Sequence, residues 1–349
     1  MKGRSLAMGD MIVLGRTGLK VSRLGLGGIP IQRVDERQAV ETVAHAIRRG
    51  IDFIDTSRLY TTSERRIGMA LRETGGKVIL ATKSPQRSAD GIRRDVEVSL
   101  RELGRDRIDI YQCHFVNEPE EYRRVTSADG ALAGLLKARD EGLIGNIGIT
   151  GHNLNVLGQV IADGLFETIM TCFSFLEPKS AETVIPKALA ANVGVILMKP
   201  FSGGVIGNAR LALKYALAVE GTVVIPGMEK REIVDENVEI FLGERALAEE
   251  EIREIGAIRS RFDRQFCRRC DYCQPCPEKI PIQYILGIRF MVKRMGPEIL
   301  AGGWVRDGVE AARRCTGCGA CLKRCPYSLP VPDLIRKNVV WADEQIRSL

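Results

Sequence analysis

Residues 40–60 read VETVAHAIRRGIDFIDTSRLY and place an amphipathic helix directly before a short apolar strand. The apolar positions of the helix recur at helical spacing, at Val40, Val43, Ala44 and Ile47. Asp35 and Gln38 form a capping sequence before it, and Gly50 closes it. The strand, Ile51 to Ser57, ends in polar residues. Such a helix and strand in succession are the repeating unit of parallel α/β proteins.

The same unit recurs along the first 245 residues. We predict eight strands at Leu24–Gly27, Ile51–Ser57, Lys77–Lys83, Ile108–His114, Gly145–Thr150, Thr168–Phe173, Gly194–Pro200 and Gly221–Pro226. Eight such units favour a closed (β/α)8 TIM barrel over an open doubly wound sheet. No G-x-G-x-x-G loop opens the first helix, as a dinucleotide-binding open sheet would require. We interpret the preceding stretch, Met11 to Ser22, as a small hairpin that closes the barrel floor.

Eight of the ten cysteines lie in two runs near the C-terminus. The runs are Cys267, Cys270, Cys273 and Cys276, and then Cys315, Cys318, Cys321 and Cys325. The second run has the C-x2-C-x2-C-x3-C-P spacing of bacterial ferredoxins. Structural zinc needs two C-x2-C pairs separated by a loop, and disulfide frameworks belong to small secreted domains. The spacing therefore predicts two [4Fe-4S] clusters, while Cys113 and Cys172 are expected in the core.

An internal repeat supports a two-cluster fold. Cys276–Ile282 aligns with Cys325–Val331, with a proline after each cysteine. Because the fourth cysteine of such a run ligates the other cluster, we assign Cys267, Cys270, Cys273 and Cys325 to one cluster, and Cys315, Cys318, Cys321 and Cys276 to the other. The first run has only two residues between its third and fourth cysteines. Cys276 therefore leaves its loop at a different angle, and the second cluster is the less regular one.

Length and composition suit one large domain and one small one. The chain has 349 residues, 45% of them hydrophobic and 27% charged, enough for a full barrel core and a satellite domain. We predict a barrel over residues 1–245, a helical linker over 246–265, and a mainly helical ferredoxin-like domain over 266–349. Helices are expected between the cysteine runs, from Ile282 to Arg314.

Composition also limits the partners and the location. The formal charge is +7, but two cluster sites would lower it, aromatic residues are only 5%, and no nucleic-acid motif is found. No stretch is long or apolar enough to span a membrane, and no signal peptide opens the chain. We therefore expect a cytoplasmic protein without a nucleic-acid or membrane partner.

The least core-like residues of the barrel fall where its chemistry belongs, at the carboxyl ends of the strands. Asp55 ends the second strand, Lys83 the third and His114 the fourth, and Tyr60 follows Asp55 in the adjoining loop. Each alone has a structural explanation, such as a helix cap or a buried histidine. Together at one rim, they indicate a catalytic site.

At these residues the chain resembles the aldo/keto reductase family, whose tetrad is an Asp, a Tyr, a Lys and a His in this order on these strands. The similar phrases are Phe53–Ser57, Ser63-Glu64 followed by Ile67-Gly68, Ala81–Lys83 and Asp109–His114. The resemblance spans about residues 11 to 245. With the cysteine runs it implies the subgroup with a C-terminal two-[4Fe-4S] ferredoxin-like domain. It also implies reduction of a carbonyl substrate, an aldehyde, ketone or quinone, with NADPH or NADH, so the cofactor is NADP or NAD.

The chemistry follows from the residue types. Hydride transfer to a carbonyl leaves an alkoxide that needs a proton, and Tyr60 is the predicted acid. A phenol has a pKa of about 10, which the Lys83 ammonium would lower. Asp55 would hold Lys83 charged and oriented. His114 would donate a hydrogen bond to the substrate oxygen and so direct the carbonyl.

The resemblance also implies a cofactor site across the rim. Its predicted residues are Gly27, Gly28, Thr150, Met170, Met198, Lys199, Phe201, Gly203, Gly227, Lys230, Glu236 and Asn237. The family's 2′-phosphate-binding Lys, Ser and Arg are replaced by Gly227, Met228 and Ile233, although Lys230 and Arg231 lie near enough in sequence to substitute. The choice between NADP and NAD therefore stays open.

The nicotinamide contacts depart from the family as well. Thr150-Gly151 replaces a Ser-Asn pair, Met170 a Gln, and Met198 the stacking Tyr. His152 and Asn153 could compensate, or Asn153 could cap the next helix.

Basic residues crowd the cysteine runs. They are Arg264, Arg268, Arg269, Arg313, Arg314, Lys323 and Arg324. They could steer an acidic redox partner, a ferredoxin or flavodoxin, or merely offset cluster charge.

Two alternatives to a reductase remain from the sequence. In the first, the clusters carry electrons and the barrel is a docking site or binds something other than nicotinamide. In the second, the clusters are structural and the barrel is an interaction platform. No flavin motif is found that would link hydride to single-electron chemistry.

Overall fold

The computed structural model describes residues 11–269, 272–325 and 327–349. The chain divides into two compact units, one formed by the residues up to Ser202 together with Ile206–Leu247, the other by Gly203–Val205 with Ala248–Leu349. The domain limits given above remain predictions. Across the described part of the chain, we find no helix with the length and apolar character needed to span a membrane.

The first unit is built on ten strands. They are β1 (Met11–Val13), β2 (Lys20–Ser22), β3 (Leu26–Gly27), β4 (Phe53–Asp55), β5 (Ile79–Ser84), β6 (Ile108–Cys113), β7 (Ile144–Thr150), β8 (Thr168–Cys172), β9 (Gly194–Met198) and β10 (Thr222–Ile225). β1 and β2 form an antiparallel hairpin. β3 to β10 form one eight-stranded sheet in chain order, and every neighbouring pair in it is parallel.

The first and last strands of this sheet also meet. Leu24 bridges Val224 and Gly27 bridges Gly227, both in parallel. The Gly25 N–H donates to the Val224 carbonyl at 2.9 Å. These bonds close the sheet into a barrel, so the predicted TIM barrel is confirmed.

Helices alternate with the strands of the first unit. They are α1 (Glu36–Arg48), α2 (Ser63–Thr74), α3 (Ala89–Leu103), α4 (Pro119–Thr126), α5 (Ala131–Asp140), α6 (Leu154–Asp163), α7 (Lys179–Glu182), α8 (Val184–Ala190), α9 (Ala209–Leu217) and α10 (Arg231–Leu242). α1 starts as the capping sequence predicts, because the Asp35 side chain accepts a hydrogen bond from the Gln38 N–H at 2.8 Å.

The hairpin closes one end of the barrel from inside. Leu14 and Val21 lie in one buried apolar cluster with Phe53, Ile110 and other inward-facing strand residues. Since side chains alternate along a strand, Asp55 points inward two residues beyond Phe53, and Gln112 two residues beyond Ile110. The barrel therefore has an apolar floor and a polar upper layer.

The second unit is helical. Its helices are α11 (Glu249–Phe262), α12 (Ile282–Leu286), α13 (Ile288–Met295), α14 (Gly303–Arg313), α15 (Ala320–Arg324) and α16 (Val331–Arg347). The segment between the cysteine runs is thus helical, as predicted. Its buried core, which includes Ile285, Val309 and Ile335, also packs against cysteines of both runs.

Candidate active site and cysteine centre

A buried ion pair lies at the centre of the upper layer of the barrel. The Lys83 Nζ donates to Asp55 Oδ1 at 2.5 Å and to the Thr56 carbonyl at 2.7 Å. Lys83 is only 1% exposed and Asp55 is 2% exposed. Asp55 is held from its other oxygen by the Gln112 Nε2, at 3.1 Å. The strands β4, β5 and β6 therefore fix the lysine through a carboxylate that is itself oriented.

Burial and pairing act on this pair in opposite directions. Burial lowers the pKa of Lys83, but the charge of Asp55, the Tyr60 side chain and hydrogen bonds to both outweigh it, so the pKa of Lys83 is raised. Burial raises the pKa of Asp55, and the Lys83 charge offsets this only in part. Lys83 is therefore a permanent cation in the folded protein at neutral pH.

Tyr60 lies against this cation. The Lys83 Nζ is 5.0 Å from the centroid of the Tyr60 ring, and the two side chains are hydrogen-bonded. The loop that carries Tyr60 turns back at once, because the Tyr60 N–H donates to the Ser57 carbonyl at 2.9 Å. Tyr60 is half-buried, so its phenol lies between the buried lysine and the open end of the barrel.

His114 completes the group. Its ring stands edge-on to the Tyr60 ring, with the centroids 6.0 Å apart. Burial, followed by the charges of Lys83, Arg87 and Lys199, lowers the pKa of His114 well below its usual value. The imidazole is therefore neutral at physiological pH. The four predicted catalytic residues, from β4, the β4–α2 loop, β5 and the end of β6, thus come together.

Ser57 holds the His114 ring. The Ser57 Oγ donates to the Lys83 carbonyl at 3.1 Å and lies 3.0 Å from His114 Nδ1. The Lys83 carbonyl also accepts the Arg58 N–H at 3.0 Å. The hydroxyl therefore links the imidazole to the backbone of β5.

The pH dependence of stability should report this neutral histidine. The unfolded chain binds a proton at His114 near pH 6.5, whereas the folded protein does so only at a lower pH. We expect the free energy of unfolding to fall as the pH drops below about 6.5, by up to roughly 1.4 kcal/mol per pH unit from this residue. Denaturant titrations from pH 7.5 to 5.5 would show a shallower loss in His114→Gln. Parallel curves for parent and variant would mean that His114 is protonated in the folded state.

A second basic pair lies at the same end of the barrel. The Lys199 Nζ and the His152 Nε2 are 3.0 Å apart. The His152 ring packs edge-on against the Phe115 ring, with the two ring centroids 4.8 Å apart. Lys199 has a positive φ of 60°. Its charge reaches His114, as the lowered pKa of His114 indicates.

The predicted cofactor residues differ in how they are packed. Gly28 and Gly227 are closely packed, because a Cβ on Gly28 would lie 2.8 Å from the Asp55 carbonyl oxygen and one on Gly227 would lie 2.6 Å from Pro30. Gly27, beside Gly28, is buried too. Thr150 ends β7 and its Oγ1 accepts the Phe115 N–H at 2.8 Å. Met170 lies in the interior apolar cluster and Met198 packs against it. Phe201 is half-buried, and Gly203 falls in the second unit.

The residues on α10 include an unusual buried amide. Asn237 is 0% exposed, yet neither its Nδ2 nor its Oδ1 has a hydrogen-bond partner. An amide in this state suits a ligand with an adjacent donor and acceptor, such as adenine. Lys230 and Glu236 on the same segment are exposed. Arg231 is paired with Glu41 at 3.2 Å.

Asn153 has a structural role. Its Oδ1 accepts the Asn155 and Val156 N–H groups and caps α6. Its Nδ2 donates to the Asn117 carbonyl at 3.0 Å. Of the two roles considered for Asn153, the helix cap is the one observed.

In the second unit, four cysteines predicted to share a cluster line one cavity. They are Cys276, Cys315, Cys318 and Cys321, and Cys273 also contributes to the lining. Cys315 and Cys318 lie near enough to Cys321 to help raise its thiol pKa, although burial is the larger cause. Four thiolates around a cavity fit a cubane cluster. Within the described residues, no three or more His, Cys, Asp or Glu side chains converge on a point where a single metal ion could bind. The four cysteines surround a cavity instead.

Of the other predicted set, Cys267, Cys273 and Cys325 pack against the core of the same unit. Cys267 Sγ accepts the Arg269 N–H at 3.4 Å. Cys270 lies outside the described residues. The remaining cysteines, Cys113 and Cys172, are buried in β6 and β8 as expected, and burial raises the pKa of Cys113 to about 12.

The internal repeat has a structural counterpart. α12 begins at Ile282 and α16 at Val331, the aligned positions. The prolines before them have φ and ψ of −76° and 73°, and of −75° and 65°. Lys279 and Ser328, also aligned, have positive φ values of 53° and 50°. From Lys279 and from Ser328 onward, the two halves therefore follow similar backbone paths.

Two residues of the active site were missed from the sequence. Ser57 and Gln112 each lie two residues from a predicted catalytic residue, Asp55 and His114, and so share the inward face of their strand. The alternation of side chains along a strand could have indicated that Ser57 and Gln112 face the barrel interior. The alternation does not reveal which polar atoms form hydrogen bonds, because the partners come from different strands.

The geometry therefore defines an oxidoreductase barrel with a Tyr–Lys–Asp–His group, joined to a cysteine-rich helical unit. Residues 23–210 match the model of the aldo/keto reductase family, and residues 266–329 match that of a 4Fe-4S dicluster domain. The chain belongs to the aldo/keto reductase family and is an oxidoreductase of that type. The family implies a nicotinamide cofactor, and the second domain type carries iron–sulfur clusters.

Individual relatives agree with this assignment. L-galactose dehydrogenase of Arabidopsis thaliana is 29% identical over 302 residues, 71% of this chain and 94% of that protein. The NADH-specific methylglyoxal reductase of Escherichia coli is 26% identical over 225 residues, 56% of this chain and 68% of that protein. An aldo-keto reductase structure from Bacillus halodurans matches in fold with a TM-score of 0.62 at 24% identity, covering 71% of this chain and 96% of that one.

Proposed function

We propose that this protein reduces the carbonyl group of an aldehyde, ketone or quinone with NADPH or NADH, and that Tyr60 is the general acid. The observation that carries the proposal is the contact of the buried Lys83 ammonium with both Asp55 and Tyr60. A buried cation beside a half-exposed phenol has one evident chemical use, which is to stabilise the phenolate that remains when Tyr60 gives up its proton.

The nicotinamide supplies a hydride when bound, and the chain's own residues manage the proton. His114 donates a hydrogen bond to the substrate oxygen and orients the carbonyl. Tyr60 then passes its phenolic proton to that oxygen as negative charge develops there. Two opposite charges about 4 Å apart at an effective dielectric near 20 attract by roughly 4 kcal/mol before desolvation, so Lys83 favours this transfer.

Asp55 has a separate task. It keeps Lys83 protonated in a place where burial alone would favour the neutral amine. Gln112 fixes the second Asp55 oxygen, so the carboxylate cannot turn away from the lysine. Both are therefore positioning residues, whereas Tyr60 and His114 are the members of the catalytic group that would face the substrate.

The dinucleotide would lie across Gly27, Gly28 and Gly227 with its adenine at Asn237. The unpartnered amide of Asn237 supports this location. We propose that Lys230, at the start of α10, determines affinity for a 2′-phosphate, because Arg231 is already paired with Glu41. The other predicted contacts, including Thr150, Met198, Lys199 and Phe201, stay predictions.

Asn237→Ala is expected to weaken binding of NADH and NADPH alike. Loss of a charge-free donor and acceptor pair to adenine corresponds to about a tenfold rise in Kd. Fluorescence titration of each nucleotide would measure it.

Lys230→Ala provides the matched comparison, because its loss should weaken NADPH binding and leave NADH binding nearly unchanged. Equal effects of Lys230→Ala on both nucleotides would remove the proposed phosphate contact.

We further propose that the second unit holds two [4Fe-4S] clusters, with the ligand sets given above. Clusters of this kind exchange one electron at a time, whereas nicotinamide delivers a pair. A second candidate function is therefore electron transfer through the clusters, with the barrel as a docking or non-nicotinamide site. The four cysteines that line one cavity support this electron-transfer function.

One experiment separates the two functions. Anaerobically purified protein with intact clusters is mixed with NADPH or NADH and a panel of aldehydes, ketones and quinones. Methylglyoxal belongs in the panel, because one relative is named as its reductase. L-galactose is tested in the reverse direction, with NADP+ or NAD+, because another relative is named as its dehydrogenase. Nicotinamide oxidation that needs both a carbonyl and Tyr60 supports the reductase. Cluster reduction by a redox protein, without any nicotinamide oxidation, supports electron transfer. The cytoplasmic location and the absence of nucleic-acid partners remain predictions.

A further inference from the structure

We propose that one exposed edge of the second unit docks an acidic electron-transfer protein of the ferredoxin or flavodoxin type. We call it the cationic edge and define it by Arg314, Cys318, Leu322, Lys323 and Arg324. The inference rests on the cluster part of the proposed function and not on the reductase chemistry.

Cys318 marks the edge. Of the cysteines in the described part of the chain, it is the exposed one, while the others are buried or half-buried. Thr316 and Gly317 beside it are exposed as well. Cys318 also lines the cavity shared with Cys276, Cys315 and Cys321. A cluster in that cavity would therefore lie nearest to solvent on this side, and electron transfer needs such a close approach.

The chain on either side of Cys318 carries charge of one sign, although Glu278 lines the same cavity from the first cysteine run. The sequence from Ala311 to Pro332 contains four basic residues and no acidic one. Arg314, Lys323 and Arg324 are all exposed. The Arg324 Nη1 donates to the Pro275 carbonyl at 2.8 Å, which steadies the guanidinium on the surface without neutralising it.

Some of the basic residues predicted near the cysteines are paired with acidic residues of this chain. Arg313 is paired with Asp343 and Glu310. Arg268 has a side chain only 8% exposed, pairs with Asp263 and stacks over Tyr327. These two are held by this chain's own acids. The cations of the cationic edge are on the surface and next to the cysteine that reaches solvent.

Leu322 gives the edge an apolar centre. It is 43% exposed and lies between Cys321 and Lys323 on α15. An exposed apolar side chain inside a polar rim is the usual composition of a transient protein interface. The complementary surface would carry carboxylates around a small apolar spot, as acidic ferredoxins and flavodoxins do. Their charge would also speed encounter at low ionic strength.

The competing explanation is that these cations only balance the charge of the clusters. The two explanations differ in what charge reversal changes. Docking predicts weaker binding with an unchanged reduction potential. Charge balance predicts a shifted potential with unchanged binding.

The test uses the full chain with its clusters. Its Kd for an acidic [2Fe-2S] ferredoxin and for a flavodoxin is measured by calorimetry at about 20 mM and about 200 mM salt. The variant is Arg314→Glu with Lys323→Glu. The control is Lys137→Glu with Lys187→Glu, two exposed lysines on α5 and α8 that give the same change in net charge. A basic cytochrome c serves as the partner of wrong sign.

We expect the parent to bind one of the acidic proteins at least about tenfold more weakly at the higher salt, and the cationic-edge variant to lose about 10- to 100-fold in affinity at low salt. The control should stay within about twofold of the parent. Cluster absorbance and midpoint potential should match in all three proteins. A variant that binds like the parent, a parent that binds neither protein at low salt, or equal binding of cytochrome c would overturn the proposal. None of these results depends on carbonyl reduction, so the two proposals fail separately.

Discussion

Tyr60→Phe should reduce carbonyl turnover by about 10² to 10⁴ while the fold and nucleotide affinity stay unchanged. The substitution removes the phenolic proton assigned to the alkoxide and keeps the ring against Lys83 and His114. The alkoxide formed by hydride transfer would then have to take its proton from water. The measurement is the single-turnover rate of nicotinamide oxidation with saturating substrate.

Tyr122→Phe is the matched control. It also removes one phenolic hydroxyl, which bonds to Asp163 at 2.8 Å on the side of the barrel, away from Lys83 and His114. Its rate should equal that of the parent. If both variants turn over like the parent, Tyr60 is not the acid and the mechanism is wrong.

Lys83→Met should have the largest effect on stability in the barrel. Methionine fills the same space but leaves the Asp55 carboxylate buried without its cation. Breaking a buried pair in this way typically costs about 3 to 5 kcal/mol. Turnover should fall as well, because the phenolate of Tyr60 loses its stabilising charge.

The loss should also depend on pH. Burial already raises the pKa of Asp55, and without Lys83 that rise is no longer opposed. The folded variant would hold a proton on Asp55 that the unfolded chain releases near pH 4. Its free energy of unfolding should therefore fall further behind the parent as the pH rises. Chemical denaturation at several pH values would measure this.

The double variant Lys83→Met with Asp55→Asn distinguishes the two consequences. It removes the unpaired charge, so much of the stability should return. It does not restore the cation, so turnover should stay low. Recovery of turnover in the double variant would contradict the role assigned to Lys83.

The barrel could be predicted from the sequence because the patterns that indicate its strands are local and repeated. Each strand is a short apolar run with a polar end, and each of the eight predictions overlaps an observed strand. Most observed strands are shorter than the predicted ones. The predicted strand Ile51–Ser57, for example, is observed as Phe53–Asp55. Beyond Asp55 the backbone still bonds to β5, from the Thr56 N–H to the Ala81 carbonyl, while the side chains of Thr56 and Ser57 meet Ser63 and His114.

The cysteine unit was readable for a different reason. Its repeat is short and exact in position, so the aligned prolines and the positive φ values of Lys279 and Ser328 could be expected to match. The spacing of residues in the sequence does not indicate which basic side chains are exposed. The sequence placed seven basic residues near the cysteines, and only the structure separates those held by Asp263, Asp343 and Glu310 from those of the cationic edge.

The active site was only partly readable. The four catalytic residues follow from strand ends, but their partners depend on which side chains meet across strands. Ser57 was therefore not expected to hold the His114 ring, nor Gln112 to orient Asp55. The state of Asn237 also depends on tertiary packing, because a buried amide without partners leaves no mark in the sequence.

The central claim is that a hydride moves directly to the substrate carbon. NADPH or NADH carrying deuterium at the transferring C4 position is incubated with the protein and its best carbonyl substrate, and the alcohol is analysed by mass spectrometry. The account predicts one deuterium on the carbinol carbon in ordinary water, and none on that carbon when unlabelled nucleotide is used in D2O. Deuterium at that carbon from D2O would contradict it, because the electrons would then have reached the substrate singly, with a proton from solvent.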